Sequence, residues 1–161
     1  MAMFVHLASE KNVKAILRRG ISRIRKQRDR PRGIYAMPVT RSFYISHQLL
    51  RELKRRGEST IVGVYCRVPD EEAVWVGRYN QAHQQMTAAR AIALMTTAEN
   101  REDYEVIIPR RAEREEIHRI RSLPQVTGWR YYPAAHGNRP CGCPFCLRGN
   151  YGARRLREKY D

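Results

Sequence analysis

The chain lacks any long hydrophobic run. No apolar stretch among its 161 residues approaches the ~20 residues that a membrane-spanning helix requires. The N-terminus, Met1 to Leu7, also lacks the charged segment and longer apolar stretch of a secretory signal. These absences argue against a membrane partner and indicate a cytoplasmic protein.

Acidic residues are scarce relative to basic ones. Lys and Arg number 31 against 16 Asp and Glu, so the formal net charge is +15. A charge of this size bears on partners and solubility rather than on fold. It favours a polyanionic partner, usually nucleic acid, and arginine suits bidentate contact with phosphate. A solvated basic surface with no specific ligand is the alternative interpretation.

The composition gives no sign of general disorder. Hydrophobic residues make up 42% and charged residues 29%, which is ordinary for a globular protein. A chain of 161 residues is long enough for one domain with its own core. We therefore predict a single domain over residues 1–161, in which residues 134–161 form a basic, Cys-rich tail.

Hydrophobic periodicity and turn residues predict strands and helices that mix without strict alternation. Strands are predicted at about 4–7, 33–37, 60–68, 73–79, 104–108 and 128–132, and helices at about 10–19, 40–56, 80–97 and 111–121. Ser9 is a candidate N-cap, and Gly20 is a candidate left-handed C-cap followed by the apolar Ile21. This mixture predicts an α+β fold with mainly antiparallel pairing.

Three motifs stand in the order that they have in a known enzyme class. The first is FVHLASEKNVKAILRRGI, in which His6 ends a strand and the following helix ends in glycine. The second is GIYAMPVTRSFY, a strand that leads into a helix, and the third is YEVIIP, a late strand that begins with a carboxylate. In order and spacing the motifs resemble NAD-dependent ADP-ribosyltransferases, in the branch of poly(ADP-ribose) polymerases and diphtheria-toxin-like enzymes. The resemblance covers about residues 3–132, most of the chain.

The resemblance implies a split, mainly antiparallel sheet with flanking helices, and NAD as the substrate. His6 is similar to the histidine that hydrogen-bonds the adenosine ribose, and Tyr35 to the tyrosine beside the nicotinamide pocket. Tyr44 is similar to the tyrosine that stacks on nicotinamide. Ser42 lies near the small residue that contacts the amide, provided that one residue is deleted. Ser9 stands one residue later than the family's usual serine or threonine and would contact the cofactor from there.

The resemblance assigns catalysis to Glu105, with His6 and Tyr44 in support. Breaking the nicotinamide–ribose bond develops positive charge on the sugar. A fixed carboxylate stabilises that charge more strongly in the transition state than in the ground state. An aromatic face holds the leaving nicotinamide in position, and a neutral histidine can both donate to and accept from a ribose.

Each of these residues also has a structural interpretation. A lone strand histidine is more often a packing residue than a ligand, and both tyrosines could simply pack. Glu102 and Asp103 compete with Glu105, but alternation favours Glu105 because Val106 and Ile108 share the other face of the strand. Three further histidines are expected in helical stretches at the surface; they are His47, His83 and His118.

Three of the four cysteines are crowded together near the C-terminus. Cys141, Cys143 and Cys146 follow His136, and these four residues are the ligand types of a structural zinc site. The segment between Cys143 and Cys146 resembles a zinc knuckle. Cys66 is an alternative fourth ligand, although its strand position indicates a small buried residue. Reduced cytosolic thiols without a metal are the other interpretation.

Three functions are consistent with these features. The first is NAD-dependent transfer of ADP-ribose to a macromolecular acceptor, with nucleic acid as a candidate. The second is a zinc-stabilised nucleic-acid-binding protein on an inactive transferase-like fold. The third is NAD-dependent removal of an RNA 2′-phosphate, by a family of similar fold whose site is built from arginines and histidines. Glu105 in the expected strand favours the first.

Overall fold

The computed structural model describes residues 1–22, 24, 30–39, 50, 53, 60–78, 81–98 and 104–123. The strands are β1 (Ala2–Ser9), β2 (Ile34–Pro38), β3 (Ile61–Val68), β4 (Ala73–Arg78), β5 (Gln84–Thr87), β6 (Tyr104–Ile108) and β7 (Ile117–Ser122). The helices with described bounds are α1 (Val13–Arg19) and α2 (Ala88–Thr97), with 3-10 turns at Glu10–Asn12 and Arg114–Glu116. Among the described residues, no helix is long and apolar enough to cross a membrane.

The seven described strands form one sheet in the order β5-β4-β6-β2-β1-β3-β7. All of their pairings are antiparallel, so the fold is α+β with an antiparallel sheet, as the sequence predicts. β1 pairs with β3 along its whole length. Its described pairing with β2 covers only Phe4↔Pro38 and Val5↔Met37. The two halves of the sheet therefore meet along a short seam between β1 and β2.

Alternation along the strands gives the sheet two different faces. The main core lies on the face that the helices cover, and the helices contribute Ile16, Ala88, Ala91 and Met95 to it. Phe4 and Val64 are fully buried strand residues of this core. Full burial of such a side chain contributes roughly 1.5–3 kcal/mol. The opposite face carries a smaller cluster, in which Leu7 and Tyr65 pack against Val5 and Met37.

Gly20 ends α1 with a positive φ of 70°, which confirms the predicted glycine C-cap. The chain also approaches the segment before β7 closely at this point, since a Cβ at residue 20 would collide with the carbonyl oxygen of Ala112. The next residue, Ile21, is buried and exchanges two backbone hydrogen bonds with Ala112, of 2.8 and 3.2 Å. Glycine thus lets α1 close against the later part of the chain.

Two predicted helices are wrong in part. Within the predicted helix at 80–97, Gln84–Thr87 pairs with β4 as a strand, and α2 begins only after Thr87, whose Oγ1 accepts from the Arg90 amide at 3.3 Å. The predicted helix at 111–121 is a 3-10 turn followed by β7. Pairing with β3 satisfies the backbone of β7, and such long-range pairing overrides local helix propensity.

Two predicted elements lie almost wholly outside the described residues. They are the helix at 40–56 and the strand at 128–132, and the Cys-rich tail at 134–161 lies outside as well. Leu50 and Leu53 are the described residues of that helix, and both are helical. Leu50 is buried.

Candidate active site around Glu105

Glu105 lies near the start of β6 on the sheet face opposite the helices. Val106 and Ile108 belong to the main core, so alternation turns Glu105 and Ile107 to the other face, as predicted. Glu105 is only 9% exposed. A carboxylate removed from water to this degree requires a partner, because burial of an isolated charge is very costly.

Arg30 and His83 converge on the Glu105 carboxylate. Nη1 of Arg30 donates to Oε1 at 2.5 Å, and Nε2 of His83 lies 3.4 Å from the same oxygen. The Arg30 and Glu105 side chains are 12% and 11% exposed, so water screens this ion pair only in part. We call these three residues the Glu105 cluster. Its members come from three distant parts of the chain, and no sequence motif links them.

His83 is oriented by Gln81 and accommodated by Gly77. Nδ1 of His83 lies 3.0 Å from the Gln81 carbonyl oxygen, which can only accept, so Nδ1 donates. A Cβ at residue 77 would stand 2.9 Å from Cγ of His83, so the imidazole lies against the glycine. The His83 side chain is 3% exposed and the residue precedes β5, so the prediction of a surface histidine in a helix is wrong. The available sequence signal was Gly77, because glycine within a strand often marks a close approach.

Tyr35 lies on β2, beside the strand that carries Glu105. It registers with Ile107, and Ala36 registers with Val106. Tyr35 and Glu105 therefore occupy diagonal positions on the same face of neighbouring strands. Diagonal neighbours are roughly 7–8 Å apart, which is within reach of an aromatic side chain. Two residues predicted from separate motifs thus share one face of the sheet.

His6 contacts the backbone of Tyr35 where the seam between β1 and β2 ends. Its Nδ1 donates to the Tyr35 carbonyl oxygen at 2.8 Å, in a region where the described ladder between the two strands has stopped. His6 registers with Val64, a residue of the main core. By alternation, His6 and Glu105 lie on opposite faces of the sheet. The His6 imidazole reaches the Tyr35 carbonyl oxygen between β1 and β2.

Ser9 ends β1 and does not make the predicted cap. Its side chain forms no cap hydrogen bond, because the 3-10 turn intervenes and the N-cap of α1 is Asn12. Ser9 is buried, and its Oγ has no hydrogen-bond partner among the described residues. It registers with Ile61 at the far end of the β1–β3 ladder.

The remaining predicted site residues lie outside the described residues. They are Ser42, Tyr44, His136, Cys141, Cys143 and Cys146, and the rival carboxylates Glu102 and Asp103 lie outside as well. Among the residues that the structure describes, no group of three or more His, Cys, Asp or Glu could hold a metal ion. The predicted zinc ligands of the tail therefore remain a prediction from the sequence.

Cys66, the alternative zinc ligand, is a buried thiol. Its Sγ donates to the Val64 carbonyl oxygen at 3.7 Å. Burial, helped by the negative charge of Glu116, raises the pKa of the Cys66 thiol to about 12. A metal ligand must be a thiolate, so these surroundings suit the small buried residue that the sequence also predicted.

Arg110 holds a second ion cluster that is structural. It binds both carboxylate oxygens of Glu72 at 3.1 Å and those of Glu116 at 2.6 and 2.8 Å. The hydrogen bonds from Arg110 lower the pKa of Glu116, and the two carboxylates raise the pKa of Arg110. The cluster ties the turn before β4 to the 3-10 turn before β7.

Two arginines of β7 stack on a tyrosine of β3. The guanidinium of Arg119 lies 4.6 Å from the ring centroid of Tyr65, and that of Arg121 lies 5.9 Å from it. Tyr65 packs against the smaller core cluster, so this Arg–Tyr platform is on the same sheet face as Glu105. Both arginines are exposed residues, so an anion can reach their N–H groups.

Comparisons with protein families, with curated proteins and with solved structures found no match for this chain. The class of protein is therefore inferred from the chemistry of its own residues. The feature that bears on function is a buried carboxylate between a guanidinium and an imidazole, whose Nε2 lacks a hydrogen-bond partner among the described residues.

Proposed function

We propose that the protein transfers ADP-ribose from NAD to a macromolecular acceptor, with Glu105 as the catalytic carboxylate. One observation carries the proposal: Glu105 is buried diagonally to Tyr35, whose carbonyl oxygen binds His6. The three residues lie on the adjacent strands β1, β2 and β6, with Tyr35 and Glu105 on one face and His6 reaching the Tyr35 backbone from the other. A histidine, a tyrosine and a glutamate on separate strands are the pattern of the enzymes that the sequence resembles.

The chemistry at Glu105 depends on the negative charge of its carboxylate. In the free protein Arg30 balances the carboxylate charge. When NAD binds, Glu105 accepts from a ribose hydroxyl and faces the positive charge that develops at C1′ as nicotinamide leaves.

The acceptor that fits the charge of the chain is a nucleic acid. The net charge is +15, and the Arg–Tyr platform lies on the same sheet face as the Glu105 cluster. Its two exposed arginines are suited to bind phosphate. Binding through phosphates weakens with salt in proportion to the number of phosphates neutralised. We therefore expect Arg119→Gln with Arg121→Gln to reduce that salt dependence.

The test measures nicotinamide release from NAD that is labelled in its adenylate half. The label is then followed into the RNA, DNA and protein of a lysate. Glu105→Gln keeps shape and removes charge, and we expect it to lower the rate by roughly 10²–10³-fold. Glu115→Gln is the matched control, because Glu115 is exposed on the 3-10 turn before β7. Equal activity in Glu105→Gln and wild type would refute the catalytic assignment.

The second candidate is a zinc-stabilised nucleic-acid-binding protein without transferase activity. The Arg–Tyr platform favours this candidate independently of Glu105. Salt-dependent binding of RNA or DNA, with no nicotinamide release and no thermal shift in saturating NAD, would select it. If nicotinamide release required RNA with a 2′-phosphate, the phosphotransferase reaction would replace ADP-ribose transfer.

A further inference from the structure

The Nε2 atom of His83 is a buried polar atom that faces the Glu105 carboxylate without bonding to it. It lies 3.4 Å from Oε1, and it has no hydrogen-bond partner among the described residues. The side chain is 3% exposed, so bulk water does not satisfy this atom. Buried polar atoms of this kind are uncommon in folded proteins and call for an explanation.

The tautomer of His83 accounts for the missing bond. Nδ1 donates to the Gln81 carbonyl oxygen, so Nε2 of the neutral ring carries a lone pair. Oε1 of ionised Glu105 also carries lone pairs, and two acceptors cannot hydrogen-bond each other. Oε1 already accepts from Arg30, so the atom that needs a donor is Nε2, and a group with a proton to donate would satisfy it.

The charge balance of the cluster favours a neutral donor. Arg30 already supplies one positive charge to Glu105 through its bond to Oε1. A second cation beside the same carboxylate would leave a surplus of buried positive charge, which is costly. A hydroxyl brings a proton without a charge, and the exposed 11% of the Glu105 side chain marks where it can enter.

We propose that His83 is the general base of the proposed transfer reaction and that the acceptor is a hydroxyl group. The inference rests on the proposed function. The hydroxyl oxygen forms a bond to C1′ of the ribose, and the C1′–N bond to nicotinamide breaks. The electron pair of the broken C1′–N bond stays on nitrogen and neutralises the pyridinium, and the hydroxyl proton passes to Nε2 of His83. Gln81 holds the ring in the tautomer that accepts this proton.

The main test compares His83→Asn with wild type. Asparagine offers an amide N–H near the position of Nδ1 and has no atom in place of Nε2. We expect the transfer rate to fall by roughly 10²–10⁴-fold, the usual contribution of a general base. The thermal shift caused by NAD should persist, and the acid limb of the pH–rate profile should disappear. His118→Asn is the control, because His118 is exposed on β7 and should leave the rate and the profile unchanged.

A second variant separates the chemical role from a structural one. His83→Ala opens a space beside Gly77, and added imidazole should restore part of the transfer rate there. A merely structural histidine would show no such rescue. If His83→Asn loses its cooperative thermal transition, His83→Gln replaces it in the rate and pH measurements.

The source of the hydroxyl is resolved by the product. Free ADP-ribose as the product shows that water is the acceptor. ADP-ribose that becomes attached to RNA, but not to RNA in which every sugar hydroxyl is methylated, shows that the acceptor is an alcohol. ADP-ribose attached to that fully methylated RNA overturns the hydroxyl assignment. A wild-type rate and pH profile in His83→Asn, with Glu105→Gln still inactive, overturns the role of His83 and leaves the proposed function standing. No nicotinamide release by wild type with any acceptor overturns both proposals.

Discussion

Gly77 and His83 are in contact across the β4–β5 hairpin, and only a residue without a side chain fits beneath the imidazole. A Cβ at residue 77 would stand 2.9 Å from Cγ of His83 and 2.8 Å from the Ala82 carbonyl oxygen. Gly77 also registers with Glu105 on the neighbouring strand. The glycine therefore fixes how closely the histidine and the carboxylate approach each other.

Gly77→Ala should move His83 away from Glu105. The added methyl group collides with the ring and with the loop, and overpacking of this kind costs typically about 1–3 kcal/mol. We expect nicotinamide release to fall further than the loss of stability accounts for, which rate and thermal melting measured together will show. Gly63→Ala is the control, since a Cβ there meets its nearest neighbour at 3.4 Å. An unchanged rate in Gly77→Ala would contradict the prediction.

Arg30→Met should destabilise the fold because it removes the guanidinium that pairs with the buried Glu105 carboxylate. Breaking a buried pair costs about 3–5 kcal/mol, and the 11–12% exposure of these side chains reduces this to about 1–3 kcal/mol. Replacing both residues, in Arg30→Met with Glu105→Leu, should recover most of the loss. Chemical denaturation of the two single variants and the double variant measures the coupling free energy between Arg30 and Glu105. Additive losses would show that the ion pair contributes no stability.

The Arg110 cluster should make stability fall at acidic pH. Hydrogen bonds from Arg110 hold the pKa of Glu116 below its usual range. The stabilisation that ionised Glu116 gives the fold is therefore fully present above the ordinary glutamate pKa of about 4.3. It is lost as the pH falls through the lower pKa of Glu116 in the folded protein. Glu116→Gln should lower the melting temperature at neutral pH, and the difference from wild type should shrink below about pH 4. A constant difference across this range would contradict the assignment.

The Cys66 thiol should resist modification while the protein is folded. Burial raises its pKa to about 12, so little reactive thiolate forms near neutral pH. A variant with Cys141, Cys143 and Cys146 replaced by Ser isolates this thiol, which should react with a thiol reagent only in denaturant. Because the pKa of Cys66 is higher in the folded state, burial of the neutral thiol stabilises the fold fully below the ordinary thiol pKa of about 8.5. This stabilisation is lost as the pH rises towards 12. Rapid labelling of the folded variant would show that Cys66 is accessible.

The tail should bind about one zinc ion per chain, because His136, Cys141, Cys143 and Cys146 supply four tetrahedral ligands. Cys143→Ser should release the metal, and Cys66→Ala should retain it, since Cys66 lies buried in the sheet. Elemental analysis of protein purified without chelators measures the content. Protein free of zinc under these conditions would rule out the site.

The strands were predictable where their signals are local. The sequence predicts β6 with both of its bounds, since alternation runs from Tyr104 to Ile108 and Pro109 follows. β5 was missed because Gln84–Thr87 is a strand only through its pairing with β4. The alternation of neighbouring residues thus predicted the fold class and the face on which Glu105 lies. It did not predict the elements whose conformation depends on pairing with a partner strand.

The partners of Glu105 could not be predicted from sequence. Arg30 is 75 positions away along the chain, in a stretch that reads only as basic loop. The role of His83 depends on the register of a hairpin, which sets the ring against Gly77. Both contacts are consequences of the assembled sheet, and the sequence signals only a close approach at Gly77, not the residue that makes it.

The order of the strands also decides when the chain can fold during synthesis. β1 completes its ladder with β3, at Ser9↔Ile61, and β2 completes its own with β6, at Ile34↔Ile108. Contacts between such distant residues form slowly, because loop-closure entropy is lost before they stabilise anything. The arginine-rich N-terminal third therefore leaves the ribosome long before its partner strands exist. Mutual repulsion of its positive charges opposes aggregation of this segment while its partner strands are absent.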